Sequence, residues 1–307
     1  MKGMELCQSY YLEVGRPAIE QACPEALPHL AAGLVGEGSE CFGFDDELSQ
    51  DHDWGPGFCL WLTVEDMARY GESLRRVYAD LPKEFHGRSR LLADPMSGGR
   101  VGVLPVEDFY RRFLAPSFPL KTTADWLAVS DQALSVCTNG VIFEDNAGVF
   151  TAFRQSLLAY YQDDVLKKRL AARCALAAQS GQYNLPRCLQ RGDRVAALRA
   201  LGEFIDHAQA AIFYLERRYR PYYKWAHRML SELPLGKKAA PLFEDLTEFS
   251  IEYVQPTVEA LCALLIRELA ARGLSGSGST FLLDHAKELQ GSVTVLSIRD
   301  LPLMAFP

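Results

Sequence analysis

The sequence predicts an α+β chain, with a mixed sheet and flanking helices over residues 1–150 and an all-helical bundle over residues 151–307. Three observations carry this. Apolar runs of strand length occur only in the first half, in FCLWLTV, RVGVLPVEDFY and VIFEDNAGVF. From about residue 151 the apolar residues recur at helical spacing to the end. The charge changes with the pattern, since residues 151–230 hold 14 Lys+Arg against 6 Asp+Glu and the remainder holds 18 against 33. A chain of 307 residues is long enough for each part to bury its own core.

In chain order, residues 17–35 read as a helix, with Ile19, Ala22, Ala26, Leu27, Leu30 and Leu34 forming a loose stripe. A glycine-rich, acidic stretch then leads into the apolar FCLWLTV, a strand. VEDMARYGESLRRVYADLP returns to helical spacing, with Met67, Tyr70, Leu74, Val77 and Tyr78 on one face and Pro82 as the stop. Residues 83–99 read as a loop, and RVGVLPVEDFY as a second strand because it alternates and is β-branched. Residues 121–136 read as helical, stopped by Asn139-Gly140, and VIFEDNAGVF as a strand followed by a turn. Beyond 151 the pattern predicts one or two helices to about 182, a pair over 193–230 broken near Pro221, and a further run broken at Pro256. GLSGSGS at 273–279 reads as a turn.

Composition excludes several classes. About half the residues are apolar, 49%, and 23% are charged, as in a globular protein. No apolar stretch reaches 18 residues, so no membrane-spanning helix is expected. The N-terminal segment lacks the charged-then-apolar order of a signal peptide. The eight cysteines form no CxxC pair, which predicts free thiols in a cytoplasmic protein, most of them filling core. A net charge of −7 argues against a surface that coats nucleic acid. Acids that hold metal, facing bases that hold phosphate, would produce the charge split; so would a solvated basic helix surface.

The motif that carries chemistry is Gly38-Ser39, followed after eleven residues by Asp51-His52-Asp53. Two carboxylates at i and i+2 on a strand share a face. Like charges side by side are costly unless a cation joins them. A Gly-Ser turn upstream offers backbone N–H groups and a hydroxyl to phosphate. Together these form a clamp for a metal-bound triphosphate, with Asp51 and Asp53 holding magnesium and Gly38 and Ser39 seating the phosphates. His52 reads as a histidine packing on the far face of the strand rather than a ligand. No HExxH, GxSxG or Walker A motif is present.

GEGSECFGFDDELSQDHDWGPGF followed by an apolar strand resembles the nucleotidyltransferase superfamily of the DNA polymerase beta type, whose signature is a Gly-Gly/Ser turn, about ten residues, then Asp-x-Asp/Glu on a strand. Through TNGVIFEDNAGVFTAFRQSLLAYYQDD, AAQSGQYNLPR and FYLERRYRPYYKWAHR, the chain also resembles a bacterial family of domain type DUF4037. The resemblance implies a nucleotidyltransferase-like sheet domain, a helical domain behind it, two magnesium ions and a nucleoside triphosphate as co-substrate. It also implies a third carboxylate on a later strand, for which Glu107 and Asp108 are the first choice and Glu144 and Asp145 the second. The sequence departs from the superfamily at His52, usually aliphatic, and at Trp54-Gly55-Pro56-Gly57, where a proline implies an edge strand or bulge.

Elsewhere, Lys224 with Arg217, Arg218 or Arg220 is placed to meet a triphosphate or anionic substrate, and Tyr222, Tyr223 and Trp225 to stack on a base; the same residues also read as a helix-packing surface. Asn184 and Arg187 read as part of a capped turn, Asp45, Asp46 and Glu47 as solvated loop acids, and His207, His227 and His285 as structural. The expected activity is magnesium-dependent transfer of a nucleoside monophosphate from ATP or another triphosphate to an acceptor seated between the domains. That acceptor is a small molecule, a protein or an RNA, and Glu107 completes the metal site or acts as base. The alternative is a non-catalytic protein of the same fold that binds nucleotide or a partner chain.

Overall fold

The computed structural model describes residues 1–51, 54–91 and 99–306. It divides into two compact units, one formed by 1–119 with 133–159 and the other by 120–132 with 160–307.

The first unit is α+β. Its sheet holds β1 (Ala31–Leu34), β2 (Cys59–Leu62), β5 (Gly102–Pro105) and β6 (Val141–Asp145) in the order β5-β2-β1-β6. A short hairpin of β3 (Glu84–Phe85) and β4 (Arg88–Ser89) stands apart. β1 runs antiparallel to β2, pairing Gly33 with Cys59 and Ala31 with Trp61, and antiparallel to β6, pairing Leu34 with Val141. β2 runs parallel to β5, pairing Cys59 with Gly102 and Leu62 with Pro105. All four β2 residues are buried, as expected for a strand covered on both faces.

One face of the sheet is covered by α1 (Gly3–Tyr10), a π-helical turn (Tyr11–Gly15), α2 (Arg16–Ala22) and α3 (Val64–Asp80). There Tyr10, Tyr11 and Tyr78 meet Phe58, and Leu60 and Leu62 complete the cluster. On the other face Trp61 stacks on Phe150 with ring centres 4.0 Å apart and meets Phe109 edge-on. Those rings come from α7 (Val149–Leu158) and α4 (Val106–Leu114).

Three sequence expectations change here. Residues 17–35 are α2, a 3-10 turn (Pro24–His29) and β1, because Cys23-Pro24 ends the helix and the buried AAGL becomes strand. The strand expected over RVGVLPVEDFY is four residues long. Pro105 ends it and VEDFY opens α4 with two acids in its first turn, where the helix dipole favours them. β2 begins at Cys59, beyond Pro56, and has a neighbour on each side, so it is neither an edge strand nor interrupted.

The second unit is helical. It holds α5 (Thr123–Ala128), α8 (Asp163–Ala177), α9 (Leu185–Gln190), α10 (Arg194–Leu215), α11 (Tyr223–Leu230), α12 (Pro234–Asp245), α13 (Ile251–Ala271), α14 (Leu282–Gly291) and α15 (Leu296–Arg299). The helix α6 (Asp131–Thr138) begins at the border of the two units. α8 is buried on all sides and packs against α5, α10, α14 and α15, its alanines admitting close neighbours. Pro256 sits inside α13 without breaking it; the chain turns earlier, at Phe249, which has φ +43°. Among the described residues no helix is long and apolar enough to cross a membrane. All eight cysteines are free, and seven are buried.

Candidate functional site

Strand direction decides which segments can meet. Because β1 is antiparallel to β2 and β6 and β2 is parallel to β5, one end of the sheet collects the exit of β1 and the entries of β2, β5 and β6. The loop after β1 carries Gly36, Gly38 and Ser39; the loop before β2 carries Asp51; Arg100 precedes β5 and Asn139 precedes β6.

These neighbours hold the glycine turn. The Asn139 side chain accepts from Gly36 N–H at 3.0 Å and donates to Gly36 C=O at 2.8 Å. Gly140 N–H donates to Cys41 C=O at 2.8 Å. Arg100 Nε donates to Glu37 C=O at 2.7 Å, and its Nη2 pairs with Glu40, which is 4% exposed. Burial lowers the Arg100 pKa from its ordinary value. Arg112 reaches back from α4 to Glu37 Oε2 at 2.6 Å. Gly38 has φ +142°, and a side chain there would collide with the Arg100 guanidinium and the Glu40 carboxylate. Ser39, half-buried, opens the 3-10 turn Ser39–Phe42.

Asp51 is exposed in a bend after the 3-10 turn Leu48–Gln50, eight residues ahead of β2. It is therefore not on a strand, and the same-face argument for an i, i+2 pair does not apply to it. Asp53 and His52 lie outside the described residues. The next residue, Trp54, is at the turn: a Cβ placed on Gly3 would lie 2.7 Å from Trp54 Nε1 and 2.9 Å from Glu40 Cβ. Asp45 is buried rather than solvated, accepting from Gly3 N–H at 2.7 Å at the start of α1 and from Trp54 Nε1 at 3.4 Å.

The other expected acids lie elsewhere. Glu107 and Asp108 open α4, just past the opposite end of β5. A four-residue strand, about 10 Å long, separates that end from the glycine turn. Glu107 Oε2 is buried with no hydrogen-bond partner among the described residues. Glu144 and Asp145 end β6 beside Ala32 and Ala31, also away from the turn. Glu144 takes the Tyr11 hydroxyl at 2.8 Å, and Asp145 takes Thr151 N–H at 2.7 Å. Among the described residues no group of three or more His, Cys, Asp or Glu is placed to hold a metal ion.

Gly38, Ser39 and Asp51 belong to the first unit, whereas Lys224 belongs to the second. Lys224 is exposed in the first turn of α11, 5.0 Å over the Trp225 ring. Tyr222 and Tyr223 are exposed beside it, with ring centres 4.3 Å apart. Arg220 is buried and bound to Asp206 at 2.5 Å, which Arg173 also reaches at 3.0 Å, so Arg220 has a structural partner. His207 joins this group, 2.9 Å from Arg173; burial, and then the charge of Arg173, push its pKa down to about 4. His285 is buried between Ser275 Oγ and Ser279 C=O, each 2.8 Å away. Arg187 stacks on Tyr183, and Asn184 ends a π-helical stretch where a capped turn was expected. The sequence reading overlooked Arg100, Arg112 and Asn139 as partners of the turn. The one available clue was that each adjoins a strand or helix boundary.

The family model DUF4037, a domain of unknown function, matches residues 126–226. That span includes Asp131, Arg169, Arg173, Asp206, His207, Tyr214 and Arg220, which are among the charged and phenolic residues buried or half-buried in the helical unit. No curated protein and no solved structure matches the chain.

Proposed function

We propose that the chain is a magnesium-dependent nucleotidyltransferase that moves a nucleoside monophosphate from a triphosphate such as ATP to an acceptor and releases pyrophosphate. The observation that supports it is the shared sheet end, where Trp54, on the approach to β2, lies beside the turn that follows Gly38-Ser39. The space beside Gly38 is taken by the Arg100 guanidinium, which puts a positive charge at the turn. Arg112 and Glu37 are 33% and 61% exposed, so the Arg112 guanidinium can exchange a solvated carboxylate for phosphate oxygens.

Carboxylate oxygens suit Mg²⁺, which is commonly held by one or two carboxylates plus water and the substrate's own phosphates. Asp51 and Asp53 are the pair this reading assigns to it, and the ion would neutralise charge on the transferring phosphoryl group. Glu107, at the opposite end of the sheet, is left out of this set. A second reading is favoured by the position of Asp51 off the strand and by Glu37 and Glu40 being tied to arginines. In that reading the chain binds nucleotide without turning it over.

One experiment separates the two. The protein is incubated with Mg²⁺, a cell extract and ATP labelled at either the α- or the γ-phosphate. Label entering an acceptor from the α position only, with pyrophosphate released and both lost in Asp53→Asn, supports transfer. Binding of ATP without release supports the second reading. Transfer that survives Asp53→Asn overturns the assignment of the acids.

A further inference from the structure

We propose that the helical unit carries a separate ligand site, taking a small phosphate monoester with an apolar body, in a cavity of about 190 Å³ between α8 and the C-terminal end of α10. This does not depend on the nucleotidyltransferase reading, because every residue involved belongs to the second unit.

The inner wall is apolar, formed by Leu170, Tyr214 and Leu274 among others. A cavity of comparable size in an apolar core, about 150 Å³, accepts a benzene ring. Lys167, Arg217 and Arg272 also line it, against one acid, Asp163. Among the described residues Lys167 makes no hydrogen bond or salt bridge. Arg272 is fixed by its bond to Leu215 C=O, which covers the negative end of α10, and by Glu268 at 3.4 Å. Glu268 is in turn balanced by Lys238 at 3.6 Å. The lining residues alone therefore hold two positive charges in excess, although Lys167 also acts on the Asp164 carboxylate outside the lining, and this positive mouth suits a phosphate monoester, whose charge is roughly −1.5 to −2 at neutral pH.

Arg217 is the most informative residue. α10 ends with Arg217 N–H donating to Tyr214 C=O at 3.1 Å and Arg218 N–H to Phe213 C=O at 3.0 Å. This closure puts residue 217 in the left-handed region, at φ +51°, where glycine is the unstrained choice. Its contacts in the unit are loose: 5.4 Å to the Tyr160 ring centre and 3.8 Å to Asp163, with the side chain 51% exposed. A guanidinium kept at the mouth of a cavity on strained backbone is explained by an anion that it holds.

Arg217→Gly separates the two roles, since it relieves the backbone while deleting the charge. Phenyl phosphate is titrated calorimetrically into the full chain, with inorganic phosphate and phenol as controls. The expected result is binding at least tenfold tighter than either control. Arg217→Gly should melt no lower than the parent yet bind phenyl phosphate at least tenfold more weakly, and Lys167→Gln should weaken it too. Arg112→Ala, in the first unit, should leave it unchanged. No binding at millimolar phenyl phosphate, equal affinity in Arg217→Gly, parity with inorganic phosphate, or loss in Arg112→Ala alone would each overturn the proposal.

Discussion

Arg100 Nε donates to the main-chain carbonyl of Glu37 at 2.7 Å, and the same guanidinium pairs with the buried carboxylate of Glu40. The side chain thus lies across the turn in the space that a side chain at position 38 would need. Gly38→Ala must both enter a glycine-only backbone region and displace that guanidinium. It is expected to destabilise the protein by about 1–3 kcal/mol, the scale of such backbone strain. Urea denaturation should show a lower midpoint at unchanged slope. An unaltered midpoint would mean that the turn relaxes freely.

Arg112 tests the phosphate seat without disturbing the fold. Its bond to Glu37 is partly exposed, so Arg112→Ala should change stability by less than about 1 kcal/mol. A charge-assisted bond to phosphate contributes about 1.5–3 kcal/mol, so ATP affinity should fall roughly ten- to a hundredfold. Titration of ATP with Mg²⁺ checks this, and an unchanged dissociation constant removes Arg112 from the seat.

Much of the fold was legible because periodicity reports burial. FCLWL is apolar at every position, as a central strand must be, and its last four residues became β2; VEDMARYGESLRRVYADLP kept a helical stripe and became α3. The reading failed where four-residue elements carry too few residues to show a period. AAGL was absorbed into a neighbouring helix, and VEDFY was joined to its strand because both are apolar every second or third residue. Contact partners were less legible still. Asn139 reads as a helix stop, and nothing local reveals that its amide holds Gly36, 103 positions away in sequence. Asp45 reads as one of three loop acids, yet it alone is buried at the start of α1, a tertiary fact.

In the helical unit, Asp131 is 5% exposed and accepts from Tyr161 at 2.6 Å and Tyr214 at 2.8 Å, with Arg169 at 4.0 Å. Arg169 is 2% exposed, and it also donates to main-chain carbonyls of residues 126, 127 and 129 and to the Tyr214 hydroxyl at 3.4 Å. Asp131→Ala would strand a buried guanidinium without its counter-charge. The expected loss is about 3–5 kcal/mol, the usual cost of removing one member of a buried pair. Tyr161→Phe removes one hydrogen bond to the carboxylate and should cost less, about 1.5–3 kcal/mol. Chemical denaturation of both variants checks the order; equal effects would mean that the charge pairing contributes little.

Lys168 should make stability depend on alkaline pH. It is fully buried, with Nζ donating to Pro302 C=O at 2.9 Å and Leu303 C=O at 2.8 Å. Burial pushes its pKa down from 10.5 to about 8. Below pH 8 the lysine is charged in both folded and unfolded chains, so its contribution there is constant. Between pH 8 and 10.5 the folded chain releases the proton while the unfolded chain keeps it. Because the unfolded state then binds more protons, stability rises with pH, by at most about 1.4 kcal/mol per unit. The buried tyrosines act in the opposite sense: unfolding frees their hydroxyls to ionise near pH 10, which lowers stability in parent and variant alike. The measurement is therefore the difference between the parent and Lys168→Met, taken by denaturation from pH 7 to 9.5. The parent should gain on the variant above pH 8. Parallel curves would mean that Lys168 stays charged in the folded chain, held by the two carbonyls strongly enough to cancel the effect of burial.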